Sequence, residues 1–188
     1  RPHRLNAVVS EFYADILAAL DDAQGDNDIR CIVLTGEGRA FCVGADLKEH
    51  GAATRTELEK LEYLQLANDV CERIYKMPKP VIAAVNGYAL GAGAEMACSS
   101  DFIVMKASAQ IGFPEISIGT HVGGGVTGIL PRLVGLTKAR ELIFSGRRID
   151  GAEALGIGLA ARVFSDENFD KEVTAFAREI GHKAPYSM

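Results

Sequence analysis

Apolar residues recur along this chain at two spacings, helical and alternating, and the two trade places repeatedly. Val9, Phe12, Ile16, Leu17 and Leu20 fall at helical intervals, and the turn residues DDAQGDND close the helix they predict. CIVLTG (31–36) is a β-branched run that stops at glycine, which predicts a buried strand. GEGRAFCVGAD then reads as a glycine-rich loop. Thr54 and Glu57 have the spacing of a capping box. From there Leu58, Leu61, Leu64, Val70 and Ile74 stripe a long helix that Pro78 and Pro80 terminate.

VIAAVNG (81–87) predicts a second buried strand, GAGAEMACSS a short helix, and DFIVMK and AQIGF two more strands. Further helices are predicted from GGGVTGILPRLVG and from TKARELIFSG, the latter through Ala139, Leu142 and Ile143. Asp150 and Glu153 resemble a second capping box before a short helix, and LAARVFS returns as a strand. FDKEVTAFAREIGHKA is amphipathic through Val173, Phe176 and Ile180. Strands alternate with helices, with no repeat or linker, so the expected fold is α/β in one compact unit.

Composition narrows the function without choosing it. The 188 residues suffice for a real core, and 48% apolar residues exclude intrinsic disorder. A net charge of −5 argues against nucleic acid or an anionic membrane as the main partner. An anionic cofactor stays open, because it needs only a local cationic rim. Cys31, Cys42, Cys71 and Cys98 show no paired spacing and read as reduced thiols. No apolar run is long enough to span a bilayer, and RPHRLN does not read as a signal peptide. The expected location is cytoplasmic, with a mitochondrial-matrix form stripped of its transit peptide as the alternative.

Several familiar motifs fail on inspection. GAGAEM (91–96) has Met96 where a dinucleotide fingerprint needs its third glycine, and GGG (123–125) lacks the GK[ST] of a phosphate loop. His3, His50, His121 and His182 are scattered and suggest no metal site, although His121 stands beside the GGG turn. The stronger signal is a constellation. VGAD (43–46) and LGAGAE (90–95) are two glycine-rich turns, each after a strand and before a helical stretch. Free backbone N–H groups gather at such places, and two of them from separate turns can hold an oxyanion. Either turn alone reads first as a tight turn that needs glycine for positive φ. Glu95 sits among small residues and Glu115 among apolar ones in GFPEISIG. Two carboxyls near one carbonyl could hold a water and manage both protons of an addition, and they would titrate as a coupled pair.

The blocks RAFCVGADLKE (39–49), KPVIAAVNGYALGAGAEMACSSD (79–101), IGFPEISIGTHVGGGVTGILPRLVG (111–135) and GRRIDGAEALGIGLAARVF (146–164) together resemble the crotonase superfamily, which includes enoyl-CoA hydratases and isomerases. The resemblance runs through essentially the whole chain. It implies an α/β spiral of ββα units, residues 1–188 forming one acyl-CoA-binding catalytic domain, usually assembled as a homotrimer or hexamer. It places the oxyanion-hole N–H groups at Ala45 and Ala92, and the catalytic acids of the hydratases at Glu95 and Glu115. Contacts to substrate and coenzyme A fall along Gly44, Ala45, Asp46, Lys48, Gly91 and Gly123, Lys48 being equally readable as a solvated surface lysine. No cofactor is implied beyond the coenzyme A moiety of the substrate, and no metal.

The resemblance also marks departures. Relatives carry a strand before RPHRLN and helices after the last segment, so both ends are expected to be trimmed. THVGGG lacks the usual proline before the glycines, and His121 could shape the acyl pocket. Both glutamates together favour hydration of a 2-enoyl-CoA. The alternatives are an enoyl-CoA isomerase or an aromatic acyl-CoA hydratase-lyase of the same fold, and a non-catalytic protein that binds acyl-CoA or RNA.

Overall fold

The computed structural model describes residues 1–48 and 56–183. After a single 3-10 turn at Pro2–Arg4, α1 (Ser10–Gly25) leads to β1 (Ile32–Thr35) and β2 (Ala40–Cys42), and α2 (Glu57–Tyr75) follows. The same order returns as β3 (Val81–Val85), β4 (Tyr88–Leu90) and α3 (Ala92–Ser99). It returns again as β5 (Phe102–Lys106) and β6 (Gln110–Gly112), followed by a 3-10 turn (Pro114–Ile118), α4 (Val126–Val134) and α5 (Leu136–Ser145). The chain finishes through β7 (Arg148–Asp150), α6 (Gly151–Gly156), β8 (Arg162–Phe164) and α7 (Phe169–Gly181).

Each strand pair is split between two sheets. One sheet has the order β1-β3-β5-β8 and is parallel throughout. The other has the order β2-β4-β6-β7, parallel except where β7 runs against β6. The corners between the sheets are packed backbone to backbone. A Cβ on Gly87 would meet the Arg39 carbonyl, so only glycine lets the β3–β4 corner sit on the β1–β2 corner. Asn86 fastens that corner, accepting from the Gly36 N–H at 3.2 Å and donating to the Gly38 carbonyl at 3.0 Å. Asn6 does the same from the other side, donating to the carbonyls of Glu37 (2.9 Å) and Ala40 (2.8 Å).

β3 is buried on both faces, as the apolar run VIAAV predicts. Val81, Ala83 and Val85 enter the main core, while Ile82 and Ala84 meet Phe169, Val173 and Phe176 of α7. β1 differs from the expected buried strand. It is the edge of its sheet, and only Ile32 and Leu34 pack inward while Val33 is 38% exposed. The leucine stripe of α2 also departs from expectation. Leu58, Leu61 and Leu64 are exposed by 64, 62 and 44%, whereas Val70 and Ile74 of the same stripe are buried as expected, together with Tyr63 and Cys71. Its cap is Thr56, which accepts from the Glu59 N–H at 3.2 Å while the Glu59 carboxylate accepts from Thr56 N–H at 2.7 Å. The expected cap Thr54 lies outside the described residues, as does His50. Asp150 does cap α6, accepting from the Glu153 N–H at 2.9 Å. Glu153 turns its own carboxylate to Arg147 instead of closing the box.

Candidate active site

The glycine-rich turns VGAD and LGAGAE follow the short strands β2 and β4, which pair side by side in the second sheet. The ladder therefore delivers both turns to one place. A Cβ built on Gly44 would lie 3.0 Å from the Leu90 carbonyl oxygen, 3.4 Å from Ala92 N and 3.5 Å from Gly91 Cα. Gly44 and Gly91 both take positive φ, +87° and +54°, which side chains rarely tolerate. Gly93 completes the approach. Its Cα faces the backbone of Cys42, and a Cβ there would stand 2.8 Å from that carbonyl carbon, with the carbonyl oxygen nearer still.

Every residue of α3 is buried except the first, Ala92, which is half-buried like Ala45. Ala92 opens the helix, so its N–H has no intrahelical acceptor. Around Ala45 the chain bonds through its neighbours: Val8 N–H donates to the Gly44 carbonyl at 2.9 Å, and Asp46 N–H to the Val8 carbonyl at 3.0 Å. Ala45 and Ala92 thus lie, each half-buried, at the same junction. Asp46 braces the turn, accepting from Arg1 at 3.0 Å and from the Lys48 N–H at 3.2 Å. The Lys48 side chain is exposed.

Glu95, one turn into α3, is 7% exposed, and Glu115, in the 3-10 turn after β6, is 6% exposed. Gly123 donates its N–H to Glu95 Oε1 at 2.7 Å. A Cβ on Gly123 would lie 3.4 Å from both Glu95 oxygens, so the loop backbone seats directly on the carboxyl. Neither oxygen of Glu115 has a partner in any other described residue. Glu115 Oε1 faces Gly91, whose missing Cβ would stand 3.3 Å away. The two acids therefore flank the start of α3, one reached through Gly91 and the other through Gly123.

Burial disfavours the charged form of both carboxyls. It pushes Glu115 up to about 7, with the negative charge of Glu95 adding to the effect. Glu95 is also raised by burial, but the Gly123 N–H and the charge of His121 pull the other way. Tyr13 and Tyr63 pack edge to face beneath the site, ring centroids 5.5 Å apart. Burial raises the Cys42 thiol to about 11 and the Cys71 thiol to about 12, which makes both poor nucleophiles. Among the described residues no group of three or more His, Cys, Asp or Glu is arranged to hold a metal. Nor, among the described residues, is any helix long and apolar enough to cross a membrane.

Sequence reasoning singled out Gly44, Ala45, Gly91, Ala92, Glu95, Glu115 and Gly123, and the structure gathers them at one junction. His121 lies exposed on the loop that ends at Gly123. Missed were Tyr63, which sits off the leucine stripe, and Asn68, which accepts from the Gly124 N–H at 3.3 Å. Only the AsnGly dipeptide at 86–87 offered a signal for the corner that sets the two turns side by side.

The sequence profile of the family described as enoyl-CoA hydratase/isomerase matches residues 1–188. A short-chain-enoyl-CoA hydratase of Clostridium acetobutylicum is 36% identical over 189 residues, covering 100% of this chain and 72% of that protein. An enoyl-CoA isomerase/hydratase of Zymoseptoria tritici is 40% identical over 204 residues, covering 100% of this chain and 66% of the relative. The crystal structure of an enoyl-CoA hydratase from Bacillus anthracis superposes with a TM-score of 0.93 at 33% identity, over 98% of this chain and 71% of that one.

Proposed function

The chain belongs to the enoyl-CoA hydratase/isomerase family, and from that premise we propose that it adds water across the 2,3 double bond of a 2-enoyl-CoA thioester. The observation that carries the reading is the pair of buried carboxyls set on either side of the first turn of α3, beside the junction where Gly44 packs against Gly91 and Ala92. A family of this kind shares a fold across several reactions, so the choice has to come from the site.

In this reading the thioester oxygen lies between the N–H groups of Ala45 and Ala92. These donors strengthen as the oxygen gains enolate charge, and losing one typically costs about 10²–10³ in rate. Glu95, held by the Gly123 N–H, acts in its carboxylate form and takes a proton from the water whose oxygen bonds to C3. Glu115, raised to about 7, keeps a protonated population at neutrality and delivers its proton to C2. The C2–C3 π bond is replaced by C3–O and C2–H bonds, so one water is consumed. Glu95 ends protonated and Glu115 ionised, and proton exchange with solvent restores the pair.

Gly44, Gly91 and Gly123 have no side chains to block the thioester where it meets backbone and carboxyl. The small residues around Glu95 follow from the same need for close approach. The test supplies 2-enoyl-CoA and 3-enoyl-CoA thioesters separately and identifies the products. A 3-hydroxyacyl product from the 2-enoyl substrate supports hydration. Conversion of 3-enoyl to 2-enoyl with no hydroxyacyl product would assign an isomerase, and retained coenzyme A binding with no turnover would assign a binding protein.

A further inference from the structure

Glu95 and Glu115 stand on separate elements, yet one short loop ties them together. Thr120 donates its N–H to the Glu115 carbonyl at 3.1 Å, just past Gly119, whose left-handed backbone ends the 3-10 turn. Three residues further on, Gly123 donates to Glu95 Oε1 at 2.7 Å. His121 lies between these anchors with its side chain exposed. Two residues of extended chain reach at most about 7 Å, so His121 cannot stand far from the N–H that grips the carboxylate.

Among the described residues the other ionisable groups that bear on Glu95 are acids. They are Tyr13 from α1, Cys42 from β2, Cys71 from α2, Cys98 from within α3, and Glu115. Ionised, each would oppose a negative charge on Glu95. Burial pushes all five up and favours their neutral forms. Against them stand the Gly123 N–H and the positive charge of His121, both of which favour the carboxylate.

We propose that His121 is a positioning residue for the general base: as an imidazolium at the rim of the site it keeps Glu95 ionised and aligned on the Gly123 N–H. The inference rests on the reading of Glu95 as the base in hydration. An imidazole is cationic on the acid side of neutrality, where a buried carboxylate is most easily lost to protonation.

The test follows Glu95 itself by the ¹³C shift of labelled glutamate carboxyls in the free protein, with Glu95→Gln identifying its resonance. His121→Asn is expected to raise the Glu95 midpoint by about half a unit to one unit, and His121→Lys to leave it at or below the wild-type value. The acid limb of kcat/KM for crotonyl-CoA should move by the same amount and in the same direction for each variant. A midpoint that does not respond to His121→Asn, or that rises equally in His121→Lys, overturns the proposal. If the midpoint follows the charge at position 121 while the wild type hydrates nothing, the hydration reading falls and the electrostatic coupling stands.

Discussion

Gly93 and Gly128 are both helical glycines, and the structure predicts opposite consequences for the same substitution. In α4, a Cβ on Gly128 would meet nothing within 4 Å. Gly128→Ala should therefore stabilise the protein by about 0.5–1 kcal/mol, through lower backbone entropy in the unfolded chain. In α3, a Cβ on Gly93 would stand 2.8 Å from the Cys42 carbonyl carbon and 2.9 Å from the Cys42 Cβ. Ordinary contact begins at 3.4 Å, so clearing the carbonyl carbon alone moves helix from strand by 0.6 Å (3.4 less 2.8), and the nearer oxygen demands more. The obstacle is backbone, which cannot swing aside as a side chain does. Overpacking of this kind costs about 1–3 kcal/mol and at times more, and Gly93→Ala belongs at the upper end. The two variants should then differ by roughly 4 kcal/mol, or roughly 2 M in urea midpoint for a domain of this size. Gly93 is also the neighbour of Ala92, so the displacement separates the two N–H groups. A misplacement near 1 Å can cost about 10²-fold, and residual folded Gly93→Ala should show a loss of that order. Urea unfolding of the two variants beside wild type is the assay. Equal midpoints, or Gly93→Ala within about 0.5 kcal/mol of wild type, would refute the seating of α3 on β2.

Two further predictions concern the same junction. Ala92→Pro removes the helix-start N–H at a position where proline is tolerated, and Gly91, with φ 54° and ψ −126°, already lies outside the α region that proline disfavours before it. It should lower kcat by about 10²–10³ with little change in thermal midpoint, and unaltered kcat would remove Ala92 from the oxyanion site. Glu115 has a folded-state midpoint near 7 against an ordinary value of 4.5, so the native protein holds an extra proton between those values. The stability this contributes is present below that window and is lost as pH rises through it. Glu115→Gln should flatten that part of the urea stability profile, and an unchanged slope would place the titration elsewhere.

The helices and the long strands were legible in the sequence because each spans several periods of its pattern. VIAAV is apolar on both faces and is buried on both faces. Of the second sheet only β6 was legible, through AQIGF. β2, β4 and β7 have three residues each, fewer than two cycles of alternation, and their pairing comes from neighbouring turns of the spiral. That is why the glycine turns were assigned to follow β1 and β3, when they follow β2 and β4. TRTELE holds two overlapping capping frames, 54–57 and 56–59, and local sequence cannot choose between them; the chain uses the second, and Glu57 instead pairs with Lys60 at 2.6 Å. The exposed leucines of α2 show that helical spacing marks a stripe without saying what covers it. Glu95 and Glu115 were legible for a different reason, since an acid among small or apolar residues conflicts with its surroundings unless a site requires it.

The central claim is that this acid pair performs hydration. The most direct measurement mixes crotonyl-CoA with wild type, Glu95→Gln and Glu115→Gln, follows loss of the conjugated thioester absorbance, and identifies the product. The account predicts rapid conversion to the 3-hydroxyacyl thioester by wild type and losses of about 10²–10⁴ in each variant, both still folded. Full activity in folded Glu95→Gln would contradict it.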